Sequence, residues 1–487
     1  MKLNASSVLA ATLFLLFSIQ SYSQTNPHKY IMDSLNPYGS YEAKKARYQA
    51  IKDLGAEAVT IDMWWGIVEP EEGQFHWEIY KENFKIAQEV GLKVIPIFSF
   101  HPVDEGDAKF PLGEWIWKKT KKFKDQYGVE NSEYPEFFSQ VGHELRKKVM
   151  ESFRDNFYEF ESIIPKIYIG FGPQGEGRYP SFSWKDWRFP GVGRHQAGSE
   201  SAIKSFQDHM EREMGTIEKL NSVWHSNFTS FDQIMTPTDG LHFFSDGAET
   251  PYGKDFLDWY QGVLEKSMDL DQKNANDVFK NTSRPYRAAL AGKLAGIYWL
   301  ATDPVFKNGA ARAAGYYILE RIIKVFAKNF FELTFTCFEM ANRDEYPDFS
   351  KAADLVRYVT QIANALNVKV SGENAEPFRL KQRSIESIKA AYRNILAVFR
   401  TSIISAFTFL RIDDLVDENG KFKPEADLYK EFVSLSAEAH PVAPPREEHF
   451  TEMGPPQISE CIDTLVKANP AVGHPGHQSV QLGGLQP

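Results

Sequence analysis

Short runs of β-branched and aromatic residues alternate along this chain with longer stretches whose apolar positions recur every three to four residues. The runs fall at residues 30–32, 58–63, 93–100, 166–171, 288–298, 333–338, 368–371 and 405–410. Between the first two, Ala43, Ala46, Ala50, Ile51 and Leu54 return at helical spacing, and Gly55 stops the helix. Strands alternating with helices over most of the chain predict parallel βαβ units. Eight such units close a (β/α)8 TIM barrel, an α/β fold whose chemical groups sit at the C-terminal ends of the strands. A doubly wound sheet is the competing arrangement, but no Gly-rich phosphate fingerprint follows any of the runs.

The pattern also marks the parts outside the barrel. Residues 1–23 read as a signal peptide: Lys2 is followed by an apolar run at 8–17, too short to span a bilayer, and then by Ser21-Tyr22-Ser23. This predicts a secreted or periplasmic protein with no membrane anchor after cleavage. The barrel is expected over 24–437. Residues from about 182 to 281, rich in Pro, Gly and aromatics, are expected to form excursions over the barrel mouth. The segment 438–487 holds eight prolines and His440, His449, His474 and His477, and reads as an irregular C-terminal tail.

Composition narrows the function. A hydrophobic share of 43% excludes wholesale disorder, and a net charge of −10 argues against a grip on nucleic-acid phosphates. Aromatics make up 14%, with 10 Trp and 21 Tyr; most belong in the core, and a surplus suits a cleft where flat rings stack on sugars. Cys337 and Cys461 are too few for a disulfide framework, though in an exported chain they could pair. Zinc-ligand spacing is absent. Glu69, Glu71 and Glu72 could hold a structural calcium ion, but a solvated acidic turn is the plainer reading, so no metal or cofactor is required.

Hydrolysis of a glycosidic bond needs one carboxylic acid to protonate the leaving oxygen and a carboxylate on the other side of the ring. Two glutamates stand just beyond strand ends. Glu176 lies in Gly172-Pro173-Gln174-Gly175-Glu176-Gly177-Arg178-Tyr179-Pro180-Ser181, where glycines let the backbone turn sharply. Glu373 lies in Ser371-Gly372-Glu373-Asn374-Ala375. Taken alone, each is as readily a turn or helix-start glutamate. Other polar groups fall at the same level: Asp62 before Trp64-Trp65-Gly66, His101, Lys293 near Tyr298 and Trp299, Thr336 to Glu339, and Arg411 followed by Asp413 and Asp414. Polar strand ends flanked by tryptophans are the pattern of a sugar pocket.

These motifs give the chain its resemblance. Ile61-Asp62-Met63-Trp64-Trp65-Gly66, Pro96-Ile97-Phe98-Ser99-Phe100-His101, the stretch 172–181, Tyr252-Gly253-Lys254-Asp255-Phe256-Leu257, Phe335-Thr336-Cys337-Phe338-Glu339-Met340, Gly372-Glu373-Asn374-Ala375 and Phe409-Leu410-Arg411 occur in the order of the β-amylases, glycoside hydrolase family 14. The chain resembles the bacterial members over roughly residues 30–435. The resemblance implies an exo-acting enzyme that releases β-maltose from α-1,4-glucan ends with inversion and needs no cofactor. It assigns Glu176 as general acid and Glu373 as general base. Thr336 matches the inner-loop threonine, and Asp62, His101, Lys293, Asn374, Ala375 and Arg411 match sugar-contacting positions. Asp107 corresponds to the aspartate of a mobile lid.

The chain departs from the family at several points. Gly177 and Glu376 stand where the family has leucine, and Tyr298 where it has histidine. The lid at 102–109 is shortened, and Ala341 and Asn342 are inserted after Met340. These changes bear on substrate preference and closure more than on the chemistry. The partner expected is an α-glucan (starch, glycogen or a maltodextrin), bound by a monomer. Val68-Glu69-Pro70 with Gly73-Gln74-Phe75 and Trp77 recurs in other barrel glycosidases, which keeps a different glycosidase as the alternative. A non-catalytic glucan-binding protein is the alternative from another class.

Overall fold

The computed structural model describes residues 26–182, 191–306 and 308–439. The signal peptide expected at 1–23, Cys461, the four tail histidines and nearly all of the tail lie outside the described residues.

Eight parallel strands close a barrel: β1 His28–Met32, β2 Ala58–Trp64, β3 Lys93–Ser99, β4 Lys166–Ile169, β5 Ala289–Leu294, β6 Glu332–Phe335, β7 Val370–Glu373 and β8 Ile404–Phe409. Neighbours in sequence are neighbours in space. The ring closes where β8 pairs with β1, in the register His28↔Ala406 to Ile31↔Phe409. Helices follow the strands in turn: α1 Tyr41–Asp53, α2 Glu78–Val90, α3 Val141–Phe157, α4 Pro251–Phe279, α5 Leu319–Lys328, α6 Ala352–Ala365, α7 Ile385–Thr401 and α8 Glu425–Ser436.

Local chemistry sets the boundaries. Ser40 Oγ accepts from the Ala43 amide to cap α1, and Gly55 takes φ +92° just past its end. In α2, Tyr80, Phe84, Ala87 and Val90 form one buried stripe. Phe84 meets Phe157 of α3 with ring centroids 4.8 Å apart, so the outer helices pack through aromatic edges. Every residue of β2 is buried, because one face meets helices and the other the barrel interior.

The interior is filled rather than open. Tyr30, Met32, Ala58, Ile95, Ile97, Tyr168, Ala291 and Ala406 form an apolar cluster inside the ring. Several polar groups there are paired: Lys166 Nζ lies 2.7 Å from Glu332 Oε2 and donates to Ser371 Oγ at 2.9 Å, and the Tyr168 and Thr334 hydroxyls bond at 2.7 Å.

All eight expected strands exist, several with shifted ends, and one expected connection reads differently. β5 ends at Leu294, four residues short of the expected limit, because Gly296 and the turn beyond it leave the ladder. β7 is displaced toward its C-terminus, so Glu373 is its last residue. The stretch 182–281 is only partly an excursion: its last third is α4, the barrel helix itself, capped by Thr250 with Pro251 at its start. Its aromatic residues, such as Phe256, Trp259 and Tyr260, are core.

Candidate active site

The C-terminal ends of the strands converge on one mouth. Glu176 follows a tight turn at Pro173–Gly175 beyond β4 and pairs with Lys293 of β5 as an isolated parallel bridge. The turn depends on glycine: a Cβ on Gly172 would lie 2.4 Å from the Glu176 carbonyl oxygen. Gly177, where the family has leucine, is closed in by Met268 of α4 and by Leu294; a Cβ there would lie 2.8 Å from Met268 Sδ. That departure is therefore matched by local packing.

The Glu176 side chain is 13% exposed. Arg178 Nε donates to its Oε2 at 3.0 Å, and the guanidinium is fixed by Gln174 Oε1, the Tyr179 carbonyl and the Phe182 ring. Burial pushes the Glu176 carboxyl up; Arg178 opposes this, and the charge of Glu373 adds to it, with a net raise above the ordinary carboxyl range. The influence of Glu373 on Glu176 places both carboxyls in the same electrostatic neighbourhood.

Glu373 is 4% exposed, and Lys293 Nζ donates to its Oε2 at 2.6 Å. Both side chains are buried. Glu373 therefore has a cationic partner within contact distance inside the barrel mouth. Asp62 completes the charged set. Burial pushes its carboxyl up, but Arg411 and Lys293, with hydrogen bonds from Ser99 Oγ and Arg411, hold it below the usual range. Burial lowers the His101 pKa to about 4, so the ring is neutral at ordinary pH. Its Nδ1 lies 3.0 Å from the Pro102 carbonyl, which assigns the hydrogen to Nδ1 and leaves Nε2 an acceptor.

Thr336 stands at the end of β6, with Oγ1 accepting from the Gly296 amide at 2.8 Å. Cys337 follows at φ +64° with its thiol buried, and a Cβ on Gly296 would lie 2.2 Å from that sulfur. Asn374 is fully buried. Its side-chain amide donates to the carbonyls of Glu376 and Leu410, and its Oδ1 accepts from the Leu410 amide. It orients the ends of β7 and β8. Ala375 is exposed beside it.

The three remaining expected positions make other contacts. Trp299 is buried, its Nε1 donating to the Gly191 carbonyl and its ring edge-on to Phe182. Tyr298 is half-buried against Trp299. Asp107 is exposed and accepts from Asn36 Nδ2 at 2.8 Å. It sits at the turn of an antiparallel hairpin, Val103–Glu105 with Ala108–Phe110, where Gly106 takes φ +59°. Gly106 thus serves the turn of this hairpin. The acidic turn at 69–72 is used internally: Glu69 accepts from Trp65 Nε1 and the Gly73 amide, and Glu72 pairs with Lys119.

Two residues of the mouth escaped functional assignment from sequence. Glu339 is 2% exposed, and burial raises its pKa to about 7. Its Oε1 accepts the amides of Ala375 and Glu376, holding the segment directly after Glu373. Tyr316, whose hydroxyl accepts from the Ala295 amide, feels the charge of Glu176. Glu339 was legible as a strand-end carboxylate; Tyr316 lies in a connection with no local signal.

A raised carboxyl and a lysine-paired carboxylate at the same mouth of a parallel (β/α)8 barrel fit the chemistry of a glycoside hydrolase. The profile of glycosyl hydrolase family 14 matches residues 30–441, and the chain belongs to that family. It is 35% identical to a β-amylase of Cytobacillus firmus over 83% of this chain and 85% of that one. It is 36% identical to a β/α-amylase of Paenibacillus polymyxa, covering 83% of this chain but only 33% of that longer protein. The crystal structure of the catalytic domain of a β-amylase from Paenibacillus polymyxa superposes with a TM-score of 0.79 at 34% identity, covering 85% of this chain and 99% of that domain. A β-galactosidase from Marinomonas ef1, at 13% identity and a TM-score of 0.56, shares the fold alone.

Proposed function

We propose that this chain is an exo-acting, inverting hydrolase of α-1,4-glucosidic bonds that releases β-maltose from the non-reducing ends of starch, glycogen or maltodextrins. The observation that carries this reading is the asymmetry of the two carboxyls: Glu176 raised by burial, Glu373 held by Lys293 at 2.6 Å. In this mechanism Glu176 gives its proton to the glycosidic oxygen as the C1–O bond breaks. Glu373 takes a proton from the water that attacks C1 from the opposite face, so the new C1–O bond has inverted configuration. Arg178 then stabilises the carboxylate left on Glu176. Asp62, His101, Arg411 and Ala375 bind the sugar, and Thr336 contacts it on the acid side. Asp107 moves inward when the 102–109 hairpin closes over bound glucan and excludes water.

The chemistry needs no cofactor. The leader at 1–23 directs secretion, and the mature protein acts as a monomer; among the described residues no helix is long and apolar enough to cross a membrane. Turnover of a maltodextrin with product anomers followed by NMR tests the proposal. Glu176→Gln and Glu373→Gln should each lower kcat by at least ~10²-fold while binding is little changed. Near-native turnover in either variant, or an α-configured product, rejects it.

A further inference from the structure

Beside the mouth, next to the segment that follows β2, lies a cavity of about 720 Å³. This is within the ~300–1,000 Å³ typical of small-ligand sites. Trp64 connects mouth and cavity through its contacts: its ring lies 5.3 Å from His101 and 6.5 Å from Phe110, which lines the cavity. The floor is apolar, formed by Ile67, Ile79, Pro111 and the buried Leu112. One wall is aromatic, with Phe110 of the hairpin and Tyr38 with ring centroids 6.2 Å apart. Tyr38 is 53% exposed, so much of its surface is free for a ligand. His76, Glu78, Lys109 and Glu114 stand around the rim, all exposed.

This combination selects a ligand class. An apolar floor with an aromatic wall suits the C–H faces of pyranose rings, and a rim of both donors and acceptors suits their equatorial hydroxyls. A rim of mixed sign does not select a simple anion or cation, and the open shape does not suit a compact apolar ligand. The geometry points to a second glucan-binding site, in which Tyr38 and Phe110 stack on a short α-1,4-glucan segment while His76, Glu78 and Lys109 bond its hydroxyls. This inference rests on the α-glucan reading of the mouth. Because Lys109 and Phe110 belong to the hairpin that carries Asp107, glucan held here tethers the polymer next to the segment that closes over the reacting end.

The test uses the full chain carrying Glu373→Gln, which blocks turnover, titrated calorimetrically with maltoheptaose. Two binding events are expected. Tyr38→Ala and, separately, His76→Ala should weaken one of them by about 10-fold or more, equivalent to ~1.4 kcal/mol, and leave the other unchanged. In the otherwise native chain both substitutions should leave kcat on maltotetraose unchanged and lower the rate on granular starch. Both residues are exposed, so neither change threatens folding. A single binding event untouched by either substitution, or two events that neither alters, overturns the second site while leaving the proposed function standing. Failure of the native chain to release maltose from maltotetraose rejects the proposed function by a separate measurement.

Discussion

The Lys293–Glu373 pair is the most demanding point of the site, and Lys293→Met probes it directly. The two side chains are 7% and 6% exposed, and their charged atoms are 2.6 Å apart. Methionine fills most of the lysine stem without its charge, so packing is nearly preserved. What remains is a buried carboxylate with no counter-ion. Removing one partner of a buried pair costs ~3–5 kcal/mol, because the surviving charge has lost its compensation without returning to water. The same change removes a cation that lowers the carboxyls of Glu176 and Asp62, so Glu176 rises further and Asp62 loses part of its lowering. Urea unfolding at neutral pH should show a lower midpoint with an unchanged slope. The double variant Lys293→Met/Glu373→Gln removes both charges and should recover most of the loss. Both proteins should be catalytically impaired by at least ~10²-fold in kcat. A loss below ~1 kcal/mol in the single variant, or a double variant no more stable than the single, refutes the argument that the pair compensates buried charge.

Further outcomes follow from neighbouring contacts. Arg178 opposes the upward push on Glu176; if Glu176 is the proposed acid, it works only while protonated, and activity falls as pH rises through its pKa. Arg178→Met should therefore move the alkaline limb of the kcat/KM profile to higher pH, and a limb that stays or moves down contradicts the assignment. Glu339 has its pKa raised from 4.5 to about 7, so its contribution to stability is present below about 4.5 and is lost as pH rises through about 7. The stability of native protein relative to Glu339→Gln should fall between pH 4.5 and 7.5, as read from urea midpoints; a flat difference would speak against a buried, neutral Glu339. Gly296→Ala places a methyl 2.2 Å from Cys337 Sγ and should cost ~1–3 kcal/mol by overpacking, with a lower kcat because Thr336 shifts. A thermally unaltered, fully active Gly296→Ala protein would show that the turn has room.

Much of the fold was legible in the order of residues, for local reasons. A strand buried on both faces needs a continuous apolar run, as in β2, and a surface helix needs a stripe, as in α2. Such patterns are written within a dozen residues. The glycines around Glu176 also carried their meaning locally, since a sharp turn beyond a strand end is a backbone property. The 182–281 stretch was harder to read. Aromatic and Pro-rich composition suits a mouth excursion and a buried helix equally, and only the packing of Phe256 and Trp259 against other elements separates them.

The sequence by itself determined the eight βα units, the strand-end level of Asp62, His101, Glu176, Lys293, Thr336 and Glu373, and the chemistry those groups can perform. Tertiary structure alone decided which carboxyl is raised by burial and which is paired with a lysine. It joined Lys293 to Glu373 across 80 positions, turned the amide of Asn374 onto Leu410, and set Glu339 beneath the amides of Ala375 and Glu376. Protonation depends on burial and on charges within a few ångströms, and barrel closure brings those charges from strands far apart in the chain.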